Sequence, residues 1–204
     1  MLWFHFEGRI PEVSLKCIRY LRDHAAFHGE SGPTLTLKIS VEVEKPKRLG
    51  LRELAHQSDM VFYSKSWAQG EGYRNAREAL LEEARLFVAD QSTFSRPNHL
   101  MTCTEGEKGA WALQLPCADQ NMFDSVVFSP GHTDHGRPVA DTVGAGDTFN
   151  AGMLYALLCR DYTGRRGRWS LEEKLAFANL LAGKKVAQYG FAGLATQVCR
   201  ELIG

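Results

Sequence analysis

The stretch from Asp141 to Asn150 has the residue types of an anion-binding loop with a proton acceptor beside it. It reads Asp-Thr-Val-Gly-Ala-Gly-Asp-Thr-Phe-Asn, and an apolar sequence typical of a helix follows. Gly144 and Gly146 would let the backbone approach a ligand without intervening side chains. The free N–H groups of a first helical turn attract negative charge. This pattern predicts a cradle for a phosphoryl group, whose charge spreads during transfer.

Asp147 lies at the mouth of the predicted cradle. A carboxylate at that position could accept the proton of an attacking hydroxyl group. The pattern differs from the Gly-x-x-x-x-Gly-Lys-Ser/Thr loop and from a dinucleotide-binding Gly-x-Gly-x-x-Gly that follows a strand. The alternative is a plain glycine turn in which Asp147 caps the helix.

The elements that must position this loop alternate between strand and helix over the first half of the chain. Hydrophobic periodicity predicts strands at 2–6, 35–43, 60–63 and 99–104, with helices at 11–29, 48–57 and 74–90. This alternation predicts an α/β fold, with a mostly parallel sheet and helices on both of its faces.

The second half departs from that alternation. A turn at 105–109 joins the strand at 99–104 to a hairpin partner at 110–115, and a further short strand follows at 126–128. The hairpin region could add an antiparallel edge to the sheet. Helices are predicted at 147–159, 170–188 and 194–202. No repeat or long linker separates these elements, so one domain is the simplest account of residues 1–204.

Composition excludes several classes of protein. The 204 residues are 44 % hydrophobic, which predicts a folded chain, and 24 basic residues balance 24 acidic ones, which argues against nucleic-acid and membrane-surface binding. No apolar run reaches about 18 residues, and the N-terminus lacks a secretory signal. The five cysteines and seven histidines have no metal-ligand spacing. These features predict a cytoplasmic protein with reduced thiols and no metal site built from side chains.

Nine consecutive positions from Asp141 conform to Asp-Thr-x-Gly-Ala-Gly-Asp-x-Phe. The stretch thereby resembles the C-terminal signature of the ribokinase-like (PfkB) carbohydrate kinases. The resemblance implies a three-layer α/β/α fold and ATP as the phosphate donor. It also implies that Asp147 is the catalytic base and that the backbone of Gly144, Ala145 and Gly146 forms the anion hole. Mg²⁺ would then arrive on ATP, held mainly by phosphates and water.

The same resemblance extends to the predicted nucleotide pocket. The turn Thr104-Glu-Gly-Glu-Lys-Gly109 matches the family's nucleotide turn, which makes Gly106, Glu107 and Gly109 candidates for contact with ATP. Asn179 lies on a late helix, where the family lines its adenine pocket. The alternatives are a plain hairpin turn and a solvent-facing helical asparagine.

Three lysines need separate consideration. Lys65 follows a strand end, where open sheets place ligand contacts, so it could meet an ATP phosphate or be an ordinary exposed lysine. Many family members carry Asn-x-x-Glu near this point to organise magnesium, but this chain has Ser64-Lys-Ser-Trp67. Lys184 and Lys185 are interpreted as charges at a helix end.

Further stretches resemble the fructose-phosphorylating branch of the family. They are Trp3-Phe-His-Phe-Glu-Gly-Arg9, Ser40-Val-Glu-Val-Glu-Lys-Pro46, Asp59-Met-Val-Phe-Tyr-Ser-Lys65 and Ala182-Gly-Lys-Lys185, together with Gly190-Phe191. This resemblance implies transfer of phosphate from ATP to the 1-hydroxyl group of a ketose, fructose. A ribose or nucleoside kinase of the same family, and a non-catalytic nucleotide-binding fragment, remain as alternatives.

The family's sugar-binding residues are not recognisable in this sequence. They are an early aspartate and a Gly-Gly-Asn stretch, and the β-lid that forms the family's dimer belongs to the same N-terminal part. We therefore expect the chain to be the C-terminal part of one PfkB domain, with little activity alone. We also expect the strands at 2–6 and 35–43 to expose sheet edge and apolar surface.

Overall fold

The computed structural model describes residues 2–25, 36–90, 99–116, 122, 124–133, 138–158 and 169–203. The chain divides into two compact units. The first unit is Met1–Cys103 with Leu113–Val126, and the second unit is Thr104–Ala112 with Val127–Gly204. The interpretation of residues 1–204 as part of one domain stays a prediction.

The described strands form one six-stranded sheet in the order β1-β2-β3-β4-β5-β6. The first four strands pair in parallel, and β5 pairs with β6 antiparallel. The predicted α/β class, with a mostly parallel sheet and an antiparallel edge, is confirmed. The strands are β1 Leu2–Glu7, β2 Leu37–Val43, β3 Met60–Tyr63, β4 His99–Thr104, β5 Gly109–Leu115 and β6 Val127–Pro130.

Seven helices accompany these strands in the described part of the chain. In the first unit, α4 begins after Asn75, whose side chain accepts a hydrogen bond from the Glu78 N–H. In the second unit, α6 begins with a reciprocal capping box between Ser170 and Glu173. The helices are α1 Pro11–Ala25, α2 Leu51–His56, α3 Lys65–Gly70, α4 Ala76–Ala89, α5 Ala145–Leu158, α6 Leu171–Val186 and α7 Leu194–Ile203.

Helix α3 was not predicted from the sequence. The Ser64 side chain accepts a hydrogen bond from the Trp67 N–H and starts the helix directly after β3. Trp67 then stacks on Tyr63, with ring centroids 4.4 Å apart. A helix of six residues is too short to show a 3.6-residue period, so the sequence pattern does not reveal it. The stacking of Trp67 on Tyr63 helps to stabilise the helix in the folded chain.

The core of the first unit lies around β2 and β3. All four residues of β3 are buried, as expected for a central parallel strand covered on both faces. In β2 the expected polar face is partly buried as well. Ser40 is fully buried, and its hydroxyl group is hydrogen-bonded to the Trp3 indole N–H and to the His5 ring on β1. These bonds satisfy the polar group and make its burial tolerable.

The expectation of two exposed strands holds for one of them. β1 is the terminal strand of the described sheet, and its Leu2 and Phe4 side chains are exposed. β2, in contrast, pairs with β1 on one side and β3 on the other, so the expected loss of its neighbours is wrong. The predicted ends of the first helix, toward residue 29, and of this strand, at 35, lie outside the described residues.

Two helices of the second unit pack closely against each other. A Cβ at Gly152 of α5 would lie 2.9 Å from the Cα of Ala178 on α6, so glycine sets the spacing between these helices. Phe149, Met153 and Leu175 are buried in this unit. The close packing fixes the start of α5 relative to α6. None of the helices in the described residues is both long and apolar enough to cross a lipid bilayer.

Candidate functional site

The second unit contains a cavity of about 430 Å³. Four segments line it: the 3₁₀ turn Gly106–Lys108 with Gly109, the segment after β6, the start of α5, and the face of α6 from Asn179 to Ala187. The predicted nucleotide turn and the predicted phosphate loop therefore meet at one cavity, although β5, β6 and the segment after them separate the two in sequence.

Glycines allow the turn after β4 to approach the segment after β6. Gly109 has φ +115°, a conformation that favours glycine, and a Cβ there would clash with the Ser129 carbonyl oxygen. A Cβ at Gly131 would clash with the Glu107 carbonyl oxygen. The turn closes through a hydrogen bond from Glu105 N–H to the Gly109 carbonyl, at 2.7 Å. Backbone rather than side chains therefore forms this wall of the cavity.

Helix α6 forms another wall of the cavity. Asn179 is buried, and its Nδ2 donates to the Ser129 carbonyl oxygen at 2.9 Å. The alternative of a solvent-facing asparagine is therefore wrong. One turn later, a Cβ at Gly183 would clash with the backbone oxygen of His132. The close approach of β6 and the following residues to α6 thus depends on a polar contact and a glycine.

His132 is a cavity residue that the sequence did not indicate. It lines the cavity, and within the described part of the chain its buried Nε2 has no hydrogen-bond partner. A lone histidine outside any motif gives no sequence signal. Only the packing of the segment after β6 on α6 places it here.

The glycine loop leads directly into α5. Gly144 has φ +77°, and a Cβ there would lie 2.6 Å from the Cζ of Phe191. The Gly144 carbonyl oxygen accepts hydrogen bonds from both the backbone N–H and the side-chain hydroxyl of Thr148. Ala145 and Gly146 line the cavity, whereas a Cβ at Gly146 would meet no atom within 4 Å. The helix thus begins at Ala145, two residues earlier than the sequence predicted.

Asp147 is the third residue of α5 and is exposed. Because it lies inside the helix rather than before it, the alternative in which Asp147 is the N-terminal cap is wrong. Gly144 and Asp147 flank Ala145 and Gly146, two of the cavity-lining residues of this stretch, without lining the cavity themselves. The carboxylate therefore stands beside the predicted cradle and is open to solvent.

Lys185 makes an ion pair that the sequence did not predict. Its ammonium group is fully buried and donates to the Asp141 carboxylate at 2.8 Å and to the Asp141 carbonyl oxygen at 3.2 Å. The interpretation of Lys185 as a helix-end charge is therefore incomplete, because its charge is enclosed. The ammonium lowers the pKa of Asp141 below its ordinary value, and the Val143 N–H bonded to the same carboxylate lowers it further.

Lys65 does not belong to this cavity. It is the exposed first residue of α3 in the first unit, and it is not among the lining residues. Its suggested contact with an ATP phosphate stays a prediction.

Residues 50–197 match the model of the pfkB family carbohydrate kinases. The chain belongs to this family. It is 32 % identical over 194 residues to mouse ketohexokinase, covering 94 % of this chain and 55 % of that protein. The resemblance to the PfkB family is therefore confirmed, and the similarity to ketohexokinase supports the more specific resemblance.

Solved structures share the PfkB fold. Ribokinase from Giardia lamblia has a TM-score of 0.66 at 16 % identity, over 98 % of this chain and 58 % of that one. A fructokinase double mutant from Vibrio cholerae has a TM-score of 0.58 at 19 % identity, over 98 % and 60 %. This PfkB chain thus spans a little over half the length of the relatives it matches.

Proposed function

We propose that this chain carries the ATP-binding and phosphoryl-transfer part of a carbohydrate kinase. The observation that carries the proposal is the cavity on which the turn 106–109, the start of α5 and Asn179 converge. Its volume of about 430 Å³ lies within the range of small-molecule sites. The structure from Vibrio cholerae is of a fructokinase bound to fructose, ADP and a potassium ion, and a ribokinase of this fold from Cryptococcus neoformans is in complex with ADP.

The residues of the cavity fit a nucleotide. In the proposed arrangement the base lies between α6 and the turn formed by Gly106, Glu107 and Gly109. Since Nδ2 of Asn179 already donates to Ser129, its Oδ1 is the atom that could accept from an exocyclic amino group. Apolar walls with a few placed polar groups are typical of such sites.

The phosphates would lie at the start of α5. The backbone from Gly144 to Gly146 precedes or opens the helix, where N–H groups have no partner within the helix and favour anions. The Ala145 N–H donates to the Thr142 carbonyl oxygen at 3.2 Å, so a phosphoryl oxygen would share or replace that contact. A Cβ at Gly146 would occupy the open space that a phosphoryl group needs. Mg²⁺ would be bound mainly through the ATP phosphates.

Asp147 is proposed as the base for the sugar hydroxyl. The hydroxyl oxygen attacks the γ-phosphorus, the bond from that phosphorus to the bridging oxygen of ADP breaks, and the hydroxyl proton passes to the Asp147 carboxylate. The similarity to ketohexokinase supports fructose as the sugar and its 1-hydroxyl group as the nucleophile.

Binding is tested with the purified 204-residue chain. Isothermal titration with ATP and Mg²⁺ is expected to show one site per chain. The variant Gly146→Ala is expected to bind ATP more weakly without unfolding, because the new methyl group projects into the cradle. Absence of ATP binding by the wild-type chain would overturn the proposal.

Catalysis is tested separately from binding. We propose that the chain by itself releases no ADP in response to fructose, because the family's Gly-Gly-Asn sugar-binding stretch is not recognisable in it. A coupled assay for ADP with fructose, ribose and adenosine as acceptors checks this. Robust turnover with fructose would contradict the proposed impairment, and preference for ribose or adenosine would contradict the proposed sugar.

The role of Asp147 is tested through charge. Asp147→Asn is expected to leave ATP affinity unchanged or to raise it, because the carboxylate repels the phosphates and does not line the cavity. Titration of wild type and variant at equal ionic strength measures the difference. A marked loss of ATP affinity would instead indicate that Asp147 binds the nucleotide, directly or through its metal ion.

A further inference from the structure

We propose that Lys185 is a positioning residue for the phosphate loop, which it holds in shape and whose Asp141 charge it neutralises. The proposal rests on the proposed function, because it assigns a role to a residue outside the cavity in the binding of ATP phosphates. Neither the motif nor the spacing of charged residues indicates this role.

The enclosure of Lys185 needs an explanation. Its side chain is fully buried at the end of α6, a position where lysines ordinarily point into solvent. A buried ammonium group is strongly unfavourable unless it is paired and hydrogen-bonded. Within the described residues, Lys185 meets this condition through Asp141, whose carboxylate and carbonyl oxygens both accept from Nζ. Its charge is therefore paired with the first residue of the glycine loop.

The Asp141 carboxylate also bonds the backbone of the loop, so it connects Lys185 to the loop. Its Oδ2 accepts from Lys185, while its Oδ1 accepts from the Val143 N–H at 2.9 Å. The N–H groups of Ala140 and Asp141 both donate to the Val186 carbonyl oxygen. The segment that immediately precedes Gly144 is thus attached to the end of α6 by backbone and side-chain bonds together.

These attachments lie behind the cavity wall. Thr142 and Ala145 of the loop and Val186 of α6 all line the cavity. The ion pair therefore joins the two elements whose surfaces would hold the phosphates and the base. If the loop shifted relative to α6, the N–H groups at the start of α5 would move away from the phosphates of a bound ATP.

Phe191 covers the ion pair. The Lys185 ammonium lies 5.3 Å from the centroid of its ring, a cation–π distance. The same ring leaves no space for a Cβ at Gly144. The Phe191 ring therefore contacts the ammonium group of the pair and also excludes a side chain at Gly144.

Charge gives Lys185 a second effect. Asp141 is a carboxylate that shortly precedes the proposed anion hole, and without a partner it would repel phosphates. With Lys185 the pair is neutral overall, so the N–H groups at the start of α5 act on the anion without opposition. Removal of Lys185 alone should therefore weaken phosphate binding by loss of shape and by repulsion.

The test compares ATP with adenosine, which would occupy the base pocket without reaching the phosphate loop. Lys185→Met keeps an unbranched side chain, one atom shorter, and removes the charge. We expect ATP affinity to fall by about tenfold to a hundredfold, the range for loss of charge-assisted hydrogen bonds, while adenosine affinity changes by less than about twofold. Lys184→Met, which removes the same charge one position earlier, is the matched control and should bind both ligands as the wild type does.

A double variant keeps the test decisive if Lys185→Met fails to fold. Asp141→Asn with Lys185→Met leaves no unpaired buried charge, and the introduced asparagine can still accept from the Val143 N–H. Its ATP affinity is expected to lie between those of the wild type and Lys185→Met, with adenosine affinity unchanged. Circular dichroism and urea unfolding establish which variants are folded.

The outcomes separate this inference from the proposed function. Equal ATP affinity of the wild-type chain and either folded Lys185 variant would overturn the inference alone. Equal losses for ATP and adenosine would also overturn it, because they would indicate general damage to the unit. Failure of the wild-type chain to bind ATP would overturn the proposed function, and the inference with it.

Discussion

Gly144 and Gly146 stand two positions apart in the same loop but are glycines for different reasons. Gly144 has a positive φ and the Phe191 ring in the place of a Cβ, so its role is conformational. Gly146 has open space at that place and lines the cavity, so its proposed role is access for a ligand. The motif shows both residues as equivalent, and only their surroundings separate them.

Alanine substitutions should therefore have opposite effects at these two sites. Gly144→Ala is expected to destabilise the chain by about 1–2 kcal/mol, because the left-handed backbone is unfavourable for alanine, with the Phe191 contact adding to this. Gly146→Ala should leave stability unchanged or raise it by up to about 1 kcal/mol, since alanine favours helix. Urea unfolding measures both values. Equal stability of the two variants would contradict the separate roles.

The Asp141–Lys185 pair predicts a dependence of stability on pH. Because the native pKa of Asp141 is lowered, the carboxylate contributes fully above its unfolded-state pKa of about 3.9 and loses that contribution as pH falls toward its native pKa. Wild type should therefore be more stable than Asp141→Asn from about pH 7 down to about pH 5, and the difference should shrink below about pH 4.

Urea unfolding of both proteins across this pH range gives the comparison. The difference between the two proteins isolates Asp141 from Glu12 and Glu78, whose pKa values are also lowered, by Lys16 and Arg74 respectively. A difference that stays constant down to about pH 3 would show that Asp141 does not titrate with the lowered pKa.

At the scale of elements, the site depends on the spacing of α5 and α6. The Ala145 and Gly146 end of α5 and the Asn179 to Ala187 face of α6 line the same cavity, and Gly152 lets the two helices approach. The turn after β4 is held against the end of β6 by glycines in the same way. Small residues at crossings, rather than long polar side chains, decide the dimensions of this cavity.

Gly152→Ala tests that spacing. Alanine ordinarily stabilises a helix interior by up to about 1 kcal/mol relative to glycine. Here the new methyl group would meet the Ala178 backbone at 2.9 Å, and overpacking typically costs about 1–3 kcal/mol. We therefore expect net destabilisation in urea unfolding, together with weaker ATP binding. A more stable variant would show that α5 and α6 can separate without cost.

At the scale of the whole molecule, the proposed site lies entirely within the second unit. The first unit contains β1 to β4 and α1 to α4, with its own core and with the buried Glu83 carboxylate bonded to Arg52 and Tyr73. The relatives that share the fold are longer, since this chain covers 55 % of mouse ketohexokinase. We therefore expect that this chain can bind ATP whether or not it binds a sugar.

Hydrogen exchange can locate the response to ATP. We expect ATP with Mg²⁺ to protect amides in the turn 106–109 and in the first turn of α5, while amides of α1 and α4 keep their exchange rates. At about a hundred times Kd, ATP should also stabilise the chain by about 2.7 kcal/mol, and fructose should not stabilise it. Uniform protection of both units, or stabilisation by fructose alone, would contradict the proposed division.

Much of the fold follows from local sequence patterns. Strand and helix periodicities predict every strand of the described sheet and six of the seven described helices, because burial of one face repeats at the period of the element. The boundaries are less exact. β6 extends through Pro130, since a proline without an N–H is tolerated at the end of an edge strand. The sequence did not predict helix α3. This helix is too short to show a hydrophobic period, and it depends on the Ser64 cap and on the stacking of Trp67 on Tyr63.

The sequence by itself determined the family, since Asp141 to Asn150 is a continuous motif whose residue types need no distant partner to be recognised. It also predicted the chemistry of this loop, which stays a prediction. Only the tertiary structure brought Asn179 inside, placed His132 at the cavity and enclosed Lys185 against Asp141. These contacts join residues far apart in sequence, 50 positions for the bond from Asn179 to Ser129 and 44 for the bond from Lys185 to Asp141. Burial and pairing at such separations depend on how elements pack, and no local pattern encodes that packing.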